Sequence, residues 1–144
     1  MTLEKTKLRI STQQQEFDFA LMHTVLSQTY WAHNIPFELM QKAVQNSLSF
    51  ALFYEQQQVG FARIITDQAT FAYLADVFIV EQMQGQGLGQ FLMTEIMQHS
   101  NLQGLRRFLL ATADAHALYE KFNFQPLQSP ENFMEINVKN IYSL

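Results

Sequence analysis

Residues 84–89 read QGQGLG and contain three of the chain's 5 glycines. They follow residues 70–80, TFAYLADVFIV, an unusually long apolar and β-branched run that predicts a strand. The segment after them, to about His99, has apolar residues at helical spacing and predicts a helix. The glycines therefore lie where a strand turns into a helix. Glycine is needed in such a turn if the backbone has positive φ or if a ligand approaches it closely.

The remaining residues predict further elements, in the order β-α-α-β-β-β-α-β-α-β. They are strands at 7–10, 49–54, 59–65, 106–111 and 133–138, and helices at 16–26, from Pro36, and at 114–122 with Asp114 as its cap. No linker or repeat interrupts them, so residues 1–144 are expected to form a single domain. An antiparallel meander followed by β-α-β-α predicts an α/β (α+β) fold. Its central sheet would be mixed and mostly antiparallel, with helices on both faces.

Composition excludes several classes of protein. With 48% hydrophobic and 15% charged residues the chain is globular rather than disordered. A net charge of −4 argues against a nucleic-acid-binding surface. The apolar runs are too short to span a membrane, and the start MTLEKTKLRI lacks a signal region, so a cytoplasmic location is expected. The chain has no cysteine for a thiolate nucleophile, and its 4 histidines lack metal-binding spacing, so no metal is expected.

Three glycine-rich phosphate motifs compete for QGQGLG. A P-loop requires a lysine after its last glycine, and none follows here. A dinucleotide fingerprint requires G-x-G-x-x-G, but Gln90 occupies the last position. The third pattern is a strand, Gln-x-x-Gly-x-Gly and a helix, which Val80, Gln84, Gly87 and Gly89 match. Unpaired N–H groups at such a helix start favour an anion. The alternative is a tight turn that binds no ligand.

Two stretches at the proper spacing resemble a known family. LADVFIVEQMQGQGLGQFLMTEI resembles motif A of the GCN5-related N-acetyltransferases (GNAT), a strand ending in Val and then [RQ]-x-x-G-x-[GA]. LLATADAHALYEKFNF is similar to the family's strand–helix segment ending in LYEKxGF. The resemblance implies the acyl-CoA N-acyltransferase fold and direct transfer of an acetyl group from acetyl-CoA to a primary amine. The alternative is a non-catalytic acyl-CoA-binding sensor or interaction module on the same fold.

The resemblance also implies where the co-substrate acetyl-CoA would bind. Its pyrophosphate would be held by backbone N–H groups of the loop formed by Gln84, Gly85, Gln86, Gly87, Leu88 and Gly89. Its pantetheine arm would run beside Phe78, Ile79 and Val80 like an added strand. A backbone N–H of that strand would stabilise the developing oxyanion. A β-bulge, frequent in the family, would splay the strand from its neighbour.

Two side chains are candidates for catalysis. Tyr119 occupies the family's tyrosine position, where it would protonate the leaving CoA sulfur; the alternative is an amphipathic core residue. Asp76 lies on the same face as Phe78 by strand periodicity, near where the amine would arrive, and is a candidate general base. The alternative for Asp76 is a carboxylate paired with Arg63 or Arg106, with water relaying the proton.

The chain departs from the family pattern at two positions. Thr112 stands where the family commonly carries Asn, and Asp114 and His116 lie close enough in sequence to replace that contact. Asn123 stands where LYEKxGF has Gly. Since asparagine tolerates the left-handed conformation better than most residues, the turn that ends the helix is expected to survive.

The acceptor site is expected between the first two helices and the C-terminal strands. The connector YWAHNIP supplies Tyr30, Trp31 and His33, and Tyr73 and Phe133 are further wall candidates. These aromatic residues would pack on an apolar or cationic amine, or else cap the core. A small amine, a polyamine, an aminoglycoside-like compound and a peptide amine all remain open. Edge strands and exposed aromatic residues are compatible with a homodimer.

Overall fold

Five strands form one sheet in the computed structural model, which describes residues 2–143. The strands are β1 (Leu8–Ser11), β2 (Leu48–Tyr54), β3 (Gln57–Thr66), β4 (Phe71–Ile79) and β5 (Arg107–Leu110), and the helices are α1 (Phe19–Leu26), α2 (Phe37–Gln45), α3 (Leu88–Gln98) and α4 (His116–Glu120). β1 to β4 pair antiparallel in chain order, and β5 is parallel to β4. The mixed, mostly antiparallel sheet predicted from the sequence is confirmed.

An apolar cluster on each face of the sheet holds the helices in place. The first cluster contains Met22 and Leu26 of α1 and Met40 and Val44 of α2; the second contains Leu92, Met93 and Ile96 of α3 and Tyr119 of α4. Neighbouring residues of β3 alternate between them, with Phe61 in the first cluster and Ala62 in the second. The helices therefore cover both faces of the sheet.

The first two helices begin at local signals. The Asp18 carboxylate accepts a hydrogen bond from the Leu21 N–H at 3.0 Å. This cap starts α1 at Phe19 rather than at the predicted Glu16. Pro36 occupies the N-cap of α2, where its missing N–H costs no helical hydrogen bond. These two signals therefore fix the first residue of each helix.

A β-bulge interrupts β4, as the family resemblance implies. The pairing of β3 with β4 shifts by one residue, so Asp76 and Val77 together oppose Ala62. Asp76 adopts φ of +58°. A residue other than glycine in this left-handed conformation carries a strain of about 1–3 kcal/mol, although aspartate tolerates it better than most. The bulge also interrupts the strict alternation that placed Asp76 beside Phe78 in the sequence prediction.

β5 pairs with only the first half of β4, and the two strands diverge beyond it. The pairing ends at Leu74 and Leu110. On the other side of β4, the Val80 N–H donates to the Val59 carbonyl at 2.8 Å. Because an antiparallel ladder alternates, the Ile79 N–H points the opposite way, to the edge that β5 leaves open. An open edge is therefore present directly before the glycine loop.

The prediction of a sixth strand at residues 133–138 is wrong. Among residues 2–143 no strand forms after β5, and residues 131–141 are all exposed. The alternation of apolar and polar residues is present, but within the described residues no strand pairs with the segment. A strand is stable only when a neighbour satisfies its backbone groups.

Candidate functional site

The glycine loop presents a row of free backbone donors. In the part of the chain that the structure describes, no N–H of residues 85–90 has a hydrogen-bond acceptor. Gln84 closes the loop from behind, because its Nε2 donates to the Ile79 carbonyl at 2.9 Å. α3 begins at Leu88, so the free donors continue into the first turn of a helix. Such a row of N–H groups with a helix dipole behind it attracts anions.

The three glycines of the loop have two different roles. Gly85 and Gly87 have φ of +79° and +81°, and a Cβ built on either would meet no atom within 4 Å. Gly89 lies inside α3, and a Cβ there would come within 3.5 Å of Leu118 Cδ2. Positive φ therefore explains Gly85 and Gly87, and the space above them is open to a ligand. Gly89 lies where α3 passes close to Leu118.

A groove of about 320 Å³ runs beside this loop and contains a cation that sequence reasoning missed. Gln86, Gly87 and Leu88 line it together with Lys5. Lys5 is the only basic residue in the lining, and Glu95 is the only acidic one. No local pattern could link Lys5 to the loop, because the two are about 80 positions apart in the chain. A cation beside a row of free N–H groups strengthens an anion site.

Tyr119 lines a separate cavity of about 540 Å³, together with Leu110, Thr112 and His116. The tyrosine is buried, with 8% of its surface exposed. Burial raises the pKa of Tyr119 above its usual 10.0, and the nearby Asp114 carboxylate raises it further. Within residues 2–143 no group bonds to its hydroxyl. The phenol therefore keeps its proton at neutral pH and has it free to donate.

The segment around α4 corrects one prediction and confirms another. The Thr112 hydroxyl, not the predicted Asp114, accepts a hydrogen bond at the start of α4, from the Ala115 N–H at 3.1 Å. Threonine at the family's Asn position thus has a bond within its own loop. Asn123 adopts φ of +72°, the left-handed conformation expected where the family has Gly. His116, the first residue of α4, lines the same cavity as Tyr119.

The strained Asp76 joins the helix connector to the sheet. Its Oδ1 accepts a hydrogen bond from Trp31 Nε1 at 2.9 Å, and its Oδ2 accepts one from Arg63 Nε at 2.7 Å. The carboxylate and the guanidinium are both largely buried. Arg63 also donates to the Ser47 hydroxyl at 3.3 Å. A predicted acceptor-site residue and the predicted base are therefore in direct contact, and the predicted alternative pairing with Arg63 is present.

The other predicted acceptor residues are dispersed. Tyr30 stacks edge-on against Trp31 with ring centroids 5.0 Å apart and is 74% exposed. Tyr73 lies on β4 opposite Leu109 of β5. The Phe133 ring lies 4.8 Å from Arg107 Cζ, at the start of β5, and His33 is exposed. Within residues 2–143, no hydrogen bond or ring contact joins Tyr73 or Phe133 to the Trp31–Asp76 pair.

The three residues predicted to contact pantetheine differ in whether their backbone groups are free to do so. The Val80 N–H donates to Val59 and its carbonyl accepts from the Met83 N–H at 2.9 Å. By the same alternation, the backbone N–H and carbonyl of Phe78 point towards β3. Of the three predicted residues, Ile79 is the one whose N–H points to the open edge, and it packs against the same apolar cluster as Tyr119.

Two further findings concern metal sites and membrane helices. Over the described residues, no group of three or more histidine and carboxylate side chains is arranged to hold a metal ion. The helices found between residues 2 and 143 are all too short or too polar to cross a membrane.

Comparison with known proteins gives consistent matches. The Acetyltransferase (GNAT) family pattern matches residues 13–124. A candidate GNAT-family acetyltransferase from Xanthomonas campestris pv. campestris has a solved structure that is 47% identical, with a TM-score of 0.92, over 95% of this chain and 97% of that one. A candidate acetyltransferase from Gibberella zeae is 34% identical in an alignment that covers 64% of this chain and 63% of that protein. The chain therefore spans less than two thirds of the length of that relative.

A solved structure with a bound ligand shares the fold at lower identity. It is a GNAT-family acetyltransferase from Elizabethkingia anophelis with acetyl-CoA bound, 14% identical with a TM-score of 0.62 over 93% of this chain and 90% of that one. At this identity the likeness concerns the fold alone.

Proposed function

The chain belongs to the GNAT acetyltransferase family, and from that premise we propose that it transfers an acetyl group from acetyl-CoA directly to a primary amine. The observation that carries this proposal is the row of free N–H groups at residues 85–90, at the start of α3 and beside the open edge of β4. An anion site next to an open strand edge suits a ligand that has a diphosphate at one end and an amide-containing arm at the other.

The loop fits the diphosphate of acetyl-CoA in three respects. The donors of residues 85–90 are free, the space above Gly85 and Gly87 is open, and Lys5 lines the adjoining groove. Backbone N–H groups form stronger hydrogen bonds with a charged phosphate than with a neutral acceptor. Gln84 would act indirectly, since its side chain holds the loop against the Ile79 carbonyl.

The open edge of β4 fits the pantetheine arm, whose amides can pair with a strand. The Ile79 N–H, which points to that edge, would be one donor. Val77 follows the same alternation and would contribute backbone groups that the sequence analysis did not name. When bound, acetyl-CoA supplies an acetyl group activated as a thioester. A fixed backbone N–H beside it would polarise the carbonyl.

Tyr119 is proposed as the general acid that protonates the leaving thiolate. A phenol whose pKa lies above 10.0 is protonated at neutral pH, and among residues 2–143 the hydroxyl has no hydrogen-bond partner. A buried phenol that is uncommitted and protonated meets the requirements of a proton donor. The proton would go to the sulfur atom of the leaving CoA thiolate. Tyr119 therefore need not contact another side chain.

Asp76 is proposed to position the acceptor rather than to abstract its proton. Both carboxylate oxygens already accept hydrogen bonds, from Trp31 and from Arg63. To serve as a base, Asp76 would use its remaining lone pairs or exchange one of these bonds. By holding the Trp31 indole in place, Asp76 would fix the aromatic surface of Trp31 and Tyr30 against which an amine could pack. The proton would then leave through water.

The proposed function is tested by measuring CoA release from acetyl-CoA with a panel of amines. A thiol reagent reads CoA without background because the chain contains no cysteine. We expect acetyl-CoA to raise the melting temperature and at least one amine to release CoA. Binding of acetyl-CoA with no release across small amines, polyamines and peptide amines would refute the proposed transfer and support a non-catalytic sensor instead.

A further inference from the structure

The bulge of β4 is tied to β3 by a largely buried ion pair. Arg63 Nε on β3 donates to Asp76 Oδ2 at 2.7 Å, and the two side chains are 17% and 12% exposed. The other ion pairs among residues 2–143 join side chains that are 37–59% exposed. Since removing two charges from water offsets most of their attraction, stability alone does not account for a pair in this place.

One extra residue in β4 makes the bulge. Arg63 and Phe61 are two residues apart on β3, but their partners Ala75 and Phe78 are three residues apart on β4. The backbone N–H groups of a strand alternate between its two neighbours, so one additional residue reverses this alternation for the rest of the strand. The part of β4 beyond the bulge is also the part that has no partner in β5. The bulge therefore decides which N–H groups face the open edge.

The reversal turns the N–H groups of Val77 and Ile79 toward the open edge. The Val80 N–H donates to the Val59 carbonyl on β3, which fixes the direction of its neighbours in the alternation. Without the extra residue, Val77 and Ile79 would donate to β3, and the N–H groups of Phe78 and Val80 would face the edge instead. The two residues proposed to pair with the pantetheine arm are therefore available only because of the bulge.

The contacts of Asp76 oppose the strain of the bulge. Asp76 adopts φ of +58°, and such a conformation persists only where the surrounding structure fixes it. Trp31 in the helix connector binds one carboxylate oxygen, and Arg63 binds the other. Arg63 is the neighbour of Ala62, the residue that the bulge opposes on β3, and it also donates to the Ser47 hydroxyl at 3.3 Å. Its bond to Asp76 therefore holds the bulge at this position of the ladder.

We propose that Arg63 is a positioning residue, which acts through Asp76 to maintain the bulge and so keeps the Val77 and Ile79 N–H groups at the open edge. This role rests on the proposed function, because the edge matters to the reaction only if it receives the pantetheine arm. The glycine loop is independent of it, since within residues 2–143 no hydrogen bond joins the ion pair to residues 85–90. Loss of the ion pair therefore weakens the hold on the arm and spares the hold on the diphosphate.

The first test measures amide hydrogen exchange by NMR without any ligand, so it does not depend on whether the chain transfers acetyl groups. In the wild-type chain, the N–H groups of Val77 and Ile79 should exchange at least about tenfold faster than those of Phe78 and Val80, because only the latter two bond to β3. Equal exchange rates for all four groups would overturn the proposal.

Variants then show whether Arg63 maintains this contrast. Arg63→Met should reduce it, and Arg63→Lys, which restores a cation beside Asp76, should recover part of it. The Arg63→Met/Asp76→Asn chain buries no unpaired charge, and asparagine tolerates positive φ, so it should fold and still show the reduced contrast. Arg9→Met, which breaks an ion pair on β1 of the same sheet, is the control and should keep the wild-type contrast. An undiminished contrast in the folded double variant would overturn the proposal.

The second test separates the two ends of acetyl-CoA by calorimetric titration. The Arg63→Met/Asp76→Asn chain should bind acetyl-CoA about five- to thirtyfold more weakly than the wild type, because it loses one or two backbone hydrogen bonds, each worth roughly a factor of five. ADP carries a diphosphate but no pantetheine arm, so its Kd should not change. An unchanged Kd for acetyl-CoA, or equal losses for acetyl-CoA and ADP, would overturn the role of Arg63. A wild-type chain that does not bind acetyl-CoA would instead refute the proposed function, and the exchange test would still decide whether Arg63 holds the bulge.

Discussion

Gly87→Ala separates the two reasons for glycine in the loop, backbone conformation and access for a ligand. Gly87 has φ of +81°, and no atom lies within 4 Å of the position that a Cβ would take. The methyl group would therefore cause no clash within the protein, but it would project into the open space where the diphosphate is proposed to bind. Gly104 provides a matched control, because it has φ of +72°, the same open surroundings and a place outside the loop.

The expected changes in melting temperature and in Kd follow from the conformational cost and from the lost ligand contact. Holding alanine in the left-handed conformation costs about 1–2 kcal/mol. Each kcal/mol lowers the melting temperature of a domain of this size by roughly 3–5 °C, and both variants should show this loss. Only Gly87→Ala should also weaken acetyl-CoA binding. Losing one hydrogen bond from a backbone N–H to a charged phosphate costs about 1.5–3 kcal/mol, which is about a tenfold to hundredfold increase in Kd.

The assay combines thermal melting with calorimetric titration of acetyl-CoA. We expect similar losses of melting temperature for Gly87→Ala and Gly104→Ala, and a wild-type Kd for Gly104→Ala only. If Gly87→Ala binds acetyl-CoA as tightly as Gly104→Ala, the loop does not hold the diphosphate and the glycines serve the turn alone.

The remaining predictions concern side chains that flank the loop and the open edge. Tyr119→Phe should lower kcat by about 10²–10⁴ with little change in the KM for acetyl-CoA. Because burial raises the pKa of Tyr119, the wild-type acid should stay protonated as pH rises through 10.0 and lose activity only above it, whereas the variant should lack this alkaline limb; full activity of the variant would exclude the acid role. Asp76→Ala should shift the fluorescence of Trp31, the only tryptophan, and raise the KM for the amine more than it lowers kcat; a thousandfold fall in kcat at unchanged KM would instead identify a base. Lys5→Ala should weaken acetyl-CoA binding severalfold at low salt and less at high salt, whereas Lys42→Ala, an exposed cation outside the groove, should not.

Local signals explain what the sequence predicted correctly. The run of residues 70–80 and the helical spacing after the glycines depend on near neighbours only, and β4 and α3 are found within a few residues of their predicted bounds. The left-handed Asn123 is likewise a local property of asparagine. The positive φ of Gly85 and Gly87 in the loop between these elements is also a local property, because glycine adopts it without steric cost.

Features that depend on a partner could not be predicted from local signals. The bulge at Asp76 reflects how β4 aligns with β3, and the bond between Asp76 and Trp31 joins residues 45 positions apart. The alternation in residues 133–138 specifies which side chains share a face, but it does not supply a neighbouring strand. At the start of α4, both Thr112 and Asp114 have side chains that can accept a bond from a backbone N–H, and the Thr112 hydroxyl is the one that accepts it.

The measurement closest to the central claim is stoichiometric acetyl transfer in a reaction that contains the purified chain, acetyl-CoA and an amine. We predict one acetylated amine for each CoA thiol released, both dependent on the amine, and no acetylated protein by intact-mass spectrometry after acetyl-CoA alone. CoA release that yields no acetylated amine, or a protein-bound acetyl group that forms first and then passes to the amine, would contradict direct transfer.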